Sequence, residues 1–356
     1  MKAQVFYEAE KMKIEEIPIP KLSPIDVLVK VKRVGICGSD IIWFYGISPV
    51  GTNSGKGPIV LGHEFTGEIV EVGEVPKMLD LFSPGDRVVV NPMQNCTACY
   101  KCAEGQTHLC ENISVPGYSV NGGFAEYCAT RYTGLFKLPQ NINFDVGAFI
   151  EPFACVSNAI RKMQIEPGDF VVVFGPGSIG LMMTQLCKSV GAGRIALIGA
   201  ANDDWRLEQG RKLGANYIFN IDKSSKYYCK DIKKEISGLT NGNLADRSIV
   251  PTSAVSALET AIEITGNCGI IIHFGLHSKD DIFKVPALSF HTMDKEIRSA
   301  WEAPFAWPMA IKSLQEGLVK VEPLITNTFQ LEDTGKAIRL LKTDPGKQIK
   351  IQIAVS

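Results

Sequence analysis

The chain has 356 residues, 45% of them hydrophobic and 21% charged, with a formal net charge of −1. That length suits two domains with filled cores, and without a basic block there is no electrostatic footprint for nucleic acid or an anionic membrane surface. No apolar run reaches the roughly 18 residues of a membrane span, and the opening MKAQVFYEAE lacks the regions of a secretory signal, so the expectation is a cytoplasmic protein that engages neither nucleic acid nor membrane.

Up to about residue 150 the chain reads as short strands broken by Gly and Pro. Val27–Val34 alternates apolar and polar residues, as a half-buried strand does, and Glu64–Gly73 and Asp86–Pro92 are further strands bounded by turn residues. Many short strands of this kind indicate a β-barrel-like domain. The stretch GICGSD (Gly35–Asp40) offers the Cys37 thiolate, and GHEFTGEIVEVG (Gly62–Gly73) offers the His63 imidazole and the Glu64 carboxylate. Glu151, in IEPFACVSNA, is a fourth candidate. A mixed Cys, His and carboxylate set that keeps a position open is a catalytic zinc shell, and its carboxylates also suit another divalent ion. Taken singly, each residue also reads as structural: Cys37 buried, His63 a satisfied core histidine, Glu64 on a solvated strand.

Between residues 91 and 115 lie Cys96, Cys99, Cys102 and Cys110, four of the ten cysteines. Disulfides are rare in the cytoplasm, and three thiols spaced two residues apart are too crowded for separate partners. Four thiolates around Zn2+ close a structural site. An iron–sulfur cluster also takes four cysteines, but zinc is the expected ion, and such a closed shell leaves no position for substrate.

From Gly168 the texture changes. Phe170–Phe174 is an apolar run, and Gly175-Pro176-Gly177-Ser178-Ile179-Gly180 then opens a helix. This is G-x-G-x-x-G in the strand–turn–helix context that marks dinucleotide binding rather than a merely structural turn. Gly175 serves the tight turn, Gly177 the approach of the pyrophosphate, and Gly180 the packing of helix on strand, while the helix N-terminus presents free N–H groups to phosphate. The next strand, Arg194–Gly199, ends in Gly199, where NAD-binding chains usually carry an acid. Asp203 and Asp204 follow, and Arg206 is the nearest cation, either a phosphate clamp or a solvated helix residue. The coenzyme is therefore read as NAD or NADP. A helix over Asp203–Ala215 and strands at DRSIVPT and GIIIHFGL, the latter ending at Gly275 and Leu276, continue a doubly wound parallel α/β sheet. Phe305–Val319 reads as a helix, and Lys347–Ile353 alternates like a strand of the first domain.

GICGSD, GHEFTGEIVEVG with GDRV, the four-cysteine lobe, IEPFACVSNA, GPGSIG and PLITNTFQLEDTGKAI together resemble the zinc-containing medium-chain dehydrogenase/reductase family, in its sorbitol/polyol (phosphate) dehydrogenase branch. The resemblance implies a GroES-like β-barrel catalytic domain over 1–154 and 294–356 and a Rossmann coenzyme domain over 155–293. It implies two Zn2+ per chain, with Cys37, His63, Glu64 and Glu151 at the catalytic one, Glu151 directly or through water. It also implies that Ser39 takes the alcohol proton, and that Gly275, Leu276, Gly199 and Arg206 join the glycine turn at the coenzyme. The expected reaction moves hydride between a secondary hydroxyl of a polyol or sugar phosphate and NAD(P), in a homodimer or homotetramer. A secondary-alcohol or L-threonine dehydrogenase is the alternative, and a catalytically inactive dinucleotide-binding sensor the alternative of another class. Three positions depart from the family pattern: Ile42 replaces a proton-shuttling His, RSAWEAPFAWPMAI lacks an Arg-Tyr pair that meets substrate hydroxyls, and Met93 replaces a His usual in threonine dehydrogenases.

Overall fold

The computed structural model describes residues 1–48 and 57–355. The chain divides into two compact units, Met1–Pro152 with Ala310–Gln315 and Val321–Ser356, and Phe153–Met309 with Glu316–Lys320.

The first unit begins with β1 (Lys2–Glu8), β2 (Lys11–Glu16), β3 (Asp26–Gly35), β4 (Ile59–Val60), β5 (Glu64–Val72), β6 (Arg87–Val90), β7 (Tyr127–Arg131) and β8 (Leu135–Lys137). The chain later returns to it with β15 (Ile325–Gln330) and β16 (Lys350–Ala354). A three-stranded sheet runs β2-β1-β4, and a seven-stranded one runs β15-β16-β3-β5-β6-β8 with β7 also on β3. Their alternating faces enclose a core that includes Phe6, Val29, Phe44, Phe65 and Phe124.

Register places the functional segments. Gly35 at the end of β3 pairs with Glu64 at the start of β5 on one side and with Gln352 of β16 on the other. Cys37 follows Gly35 by two residues and His63 precedes Glu64, so this one register brings both ligand segments to the same end of the sheet. The short helix α1 (Gly38–Phe44) starts there.

The second unit holds six parallel strands: β9 (Phe170–Phe174), β10 (Arg194–Gly199), β11 (Tyr217–Asn220), β12 (Ala245–Val250), β13 (Thr265–His273) and β14 (Glu296–Ser299). Their order is β11-β10-β9-β12-β13-β14. Every residue of β9 is buried, as a strand covered on both faces requires. The order reverses at β9, and the turn after it therefore opens at the topological switch point, where doubly wound sheets bind ligands. The second unit extends beyond the expected boundary at 293, because β14 adds a sixth parallel strand against β13, Ile270 opposite Glu296. Glu316–Lys320 also belongs here: Gln185 Nε2 donates to the Lys320 carbonyl at 3.0 Å and Lys320 N–H to Gln185 Oε1 at 2.8 Å.

Candidate metal centres and dinucleotide turn

In the cysteine lobe the four Sγ atoms lie within 4.8 Å of one another. Cys99 Sγ is 3.6 Å from Cys102 Sγ and 3.8 Å from Cys110 Sγ, close to the edge of about 3.8 Å that a tetrahedron of Zn–S bonds requires. Backbone N–H groups of Ala98 and Cys99 hold the Cys96 thiol down to about 6, so it is a thiolate at neutral pH. The lobe is fastened to the barrel by Arg131, whose Nη1 donates to the carbonyls of Gln94 at 3.2 Å and Asn95 at 3.0 Å. These residues fit a zinc ion.

In the second group, ligand atoms of Cys37, His63 and Glu64 lie within 4.8 Å of one another. Thiol, imidazole and carboxylate form a three-ligand set with a position left for substrate, which is the donor chemistry of catalytic zinc. Burial, then the nearby Glu64 charge, pushes the Cys37 thiol up to about 12, so a bound cation would have to displace its proton. Asp40, which sequence reasoning passed over, steadies the set. Its Oδ2 accepts from the Cys37 N–H at 2.9 Å, and its Oδ1 stands 3.8 Å from His63 Nδ1.

Glu64 has a second partner that was also not anticipated. Lys350 Nζ donates to its Oε2, with both side chains buried. Burial alone would lower the Lys350 pKa, but Glu64, Cys37 and Glu151 outweigh it and the ammonium is held above its ordinary value. Gly35 makes room for the pair: a Cβ there would meet Glu64 Oε2 at 2.2 Å and Lys350 Cε at 2.9 Å. Glu151 is buried at the start of α2 (Ile150–Met163) and stands outside the 4.8 Å triad. Ser39 Oγ is shielded from water and lies against the Cys37 thiol, whose pKa it helps to lower. Ile42 lies on α1 and carries no proton acceptor.

In the second unit the glycine turn has the form the motif demands. Gly175 has φ +91°, a Cβ on Gly180 would meet the Gly175 carbonyl oxygen at 1.9 Å, and around Gly177 there is open space within 4 Å. Pro176 is buried, Ile179 is half-buried, and α3 (Ser178–Ser189) begins with Ser178, whose Oγ is buried and without a partner. These features fit a dinucleotide pyrophosphate. At the end of β10, Asp203 Oδ2 accepts from the Ala200 N–H at 2.9 Å, and its Oδ1 pairs with Arg206 Nη1 at 3.3 Å. Asp204 is turned away to Asn220 and Ser225. Gly275 sits under the strand-end loop, its N–H donating to the Val250 carbonyl at 3.0 Å, and Leu276 is exposed.

Known dehydrogenases resemble this chain along nearly its whole length. Residues 23–140 match the alcohol dehydrogenase GroES-like domain and residues 178–315 match the zinc-binding dehydrogenase domain. Sorbitol dehydrogenase of Bacillus subtilis (strain 168) is 31% identical over 99% of this chain and 97% of its own. D-arabitol-phosphate dehydrogenase of Enterococcus avium is 31% identical over 97% and 94%. An alcohol dehydrogenase from Escherichia coli CFT073, solved with NADH, superposes with a TM-score of 0.87 at 30% identity, covering 99% of both chains. The 2R,3R-butanediol dehydrogenase of Bacillus subtilis gives 0.87 at 28% identity, covering 100% and 99%.

Proposed function

Because the chain belongs to the zinc-binding dehydrogenases with a GroES-like domain, in the polyol dehydrogenase branch of the medium-chain family, we propose that it oxidises a secondary hydroxyl of a polyol or sugar-alcohol phosphate. The carbinol becomes a ketone, its hydride passes to NAD(P)+, and its hydroxyl proton is released. The observation that carries this reading is the Cys37, His63 and Glu64 triad with the buried hydroxyl of Ser39 beside the Cys37 thiol.

Cys37, His63 and Glu64 would hold the catalytic zinc, with Glu151 completing the set directly or through water, and Cys96, Cys99, Cys102 and Cys110 a structural one. Zinc supplies Lewis acidity that lowers the pKa of a hydroxyl. Ser39 Oγ accepts the hydroxyl proton and hands it on. Ile42 cannot receive it, so exit runs by another path. Gly175, Gly177, Ser178 and Gly180 seat the coenzyme pyrophosphate, and Asp203 with Arg206 faces the choice between NAD and NADP.

A secondary-alcohol substrate is the second reading, favoured by the likeness to a butanediol dehydrogenase. L-threonine is disfavoured by Met93, and an inactive sensor by the retained Cys37, Ser39 and His63. The homodimer or homotetramer that the resemblance implies would be tested by light scattering. The decisive experiment is a panel of alditols, their phosphates and simple secondary alcohols with NAD and NADP. Polyol oxidation in which Ser39→Ala loses about 100- to 10,000-fold in kcat supports the reading; activity on simple alcohols alone rejects the polyol assignment.

A further inference from the structure

Two histidines of the second unit stand outside both candidate metal centres. His273 is the last residue of β13, and His277 follows four residues later. Their rings face each other at 4.9 Å between centroids, with planes inclined by 53°. They do not bond each other: His273 Nε2 and both nitrogens of His277 are shielded from water and have no hydrogen-bond partner. The His277 side chain is 13% exposed, and the Phe283 ring lies edge-on to His273 at 6.2 Å. Buried ring nitrogens left unpaired are costly, so three of them in one place call for a bound group between the rings.

The His273 ring is prepared for a cation. Burial, then the neighbouring His277, holds its pKa below the ordinary value, against a hydrogen bond to the Gly275 backbone. The ring is therefore neutral at neutral pH, the form that ligates metals. A backbone partner that raises the pKa accepts the ring proton. Because Nε2 has no partner, that bond falls to Nδ1, and the lone pair is left on Nε2. His277 can turn either nitrogen to an ion without breaking a bond. An ion about 2.1 Å from a ring nitrogen lies about 3.2 Å from that ring's centroid, and centroids 4.9 Å apart then subtend about 100° at the ion, near the tetrahedral angle of zinc. Asp281, held by the Ser278 N–H at 2.9 Å, places its Oδ2 3.8 Å from His277 Nδ1 and supplies negative charge beside the pair.

The geometry points to a further metal site, in which His273 Nε2 and one nitrogen of His277 hold a transition-metal ion such as Zn2+ or Ni2+, with water completing its shell. Imidazole ligands suit these ions, whereas Mg2+ and Ca2+ take oxygen. The ion ties the end of β13 to the loop that follows it, and the site is independent of the reaction proposed above.

The test uses the full chain with its zinc in place, dialysed against micromolar Ni2+, and counts metal per chain before and after. Wild type should gain one equivalent, and the double variant His273→Gln/His277→Gln should gain none. A count that does not rise in wild type, or that rises equally in the double variant, would overturn the site. A second measurement needs no variant to fold. With Zn2+ as titrant, the ring-nitrogen resonances of two of the five histidines should move together and saturate at one added equivalent. Movement of one histidine or of none would also overturn the proposal.

Discussion

Gly199 shows how a missing side chain can be misread from sequence. A glycine where an acid is usual suggests that Asp could simply be restored. In the folded chain a Cβ at Gly199 would meet Asp203 Cβ at 2.9 Å and Leu207 at 3.0 Å. The space is already filled by Asp203, which reaches the same turn from the start of α4 (Asp204–Lys212). Gly199→Asp is therefore expected to destabilise by about 1–3 kcal/mol through overpacking, with a second carboxylate beside Asp203 adding repulsion. The informative change is Asp203→Asn. It keeps an acceptor for the Ala200 N–H but removes the charge that pairs with Arg206. Coenzyme kinetics should shift toward NADP by about tenfold or more in the ratio of kcat/KM values, because the carboxylate that repels a 2′-phosphate is gone while the Arg206 guanidinium that attracts it keeps its charge. An unchanged ratio would remove this pair from the coenzyme site. The glycine was legible in the sequence; its occupant was not, since only the turn Ala200–Asp203 brings that carboxylate back.

At the scale of elements, the second unit was the more legible one. Its strands β9 and β10 are apolar runs, so their ends coincide with Gly and charged residues: Arg194–Gly199 is bounded as read. β14 was missed because EIRS carries two charges and has only one neighbouring strand, leaving no apolar signal. The barrel's small strands β1, β2 and β4 were equally faint. The glycine turn permits a sharper test. Gly180→Ala places a methyl 1.9 Å from the Gly175 carbonyl and should destabilise by about 3 kcal/mol or more, since backbone must move. Gly177→Ala meets open space and should leave the melting temperature nearly unchanged. It should still raise the KM for coenzyme at least several-fold, because the methyl occupies the space a pyrophosphate approaches. Melting curves beside coenzyme titrations separate the two. In the lobe, Cys96→Ser should lower the zinc content from two ions to one and reduce thermal stability, as three thiolates hold the ion poorly and binding is coupled to folding. A variant that retained both ions would show that Cys96 is not a ligand.

At the scale of the whole chain, the last strand explains why the first unit is assembled from both termini. Local motifs announced Cys37, His63 and Glu64, but Lys350 stands 286 residues from Glu64. In KQIKIQI it reads as the solvated face of an alternating strand. Both faces are buried instead: Lys350 and Gln352 are 4% and 0% exposed, and Ile351 and Ile353 are buried as well. The C-terminal strand thus delivers an ammonium to a cluster of thiol and carboxylates that would otherwise be acidic. Removing one partner of a buried ion pair strands the other charge, at about 3–5 kcal/mol. Lys350→Met is therefore expected to lower stability by that order. Glu64→Gln in the same background should recover much of the loss, since no carboxylate remains to be neutralised. A cation held by Cys37, His63 and Glu64 would compensate the same carboxylate, so the penalty of Lys350→Met should be smaller with zinc bound than after its removal from the catalytic site. The four proteins, melted with and without a chelator that spares the cysteine lobe, test this directly. Losses that simply add in the double variant, and that do not depend on the metal, would mean that Lys350 serves packing rather than charge.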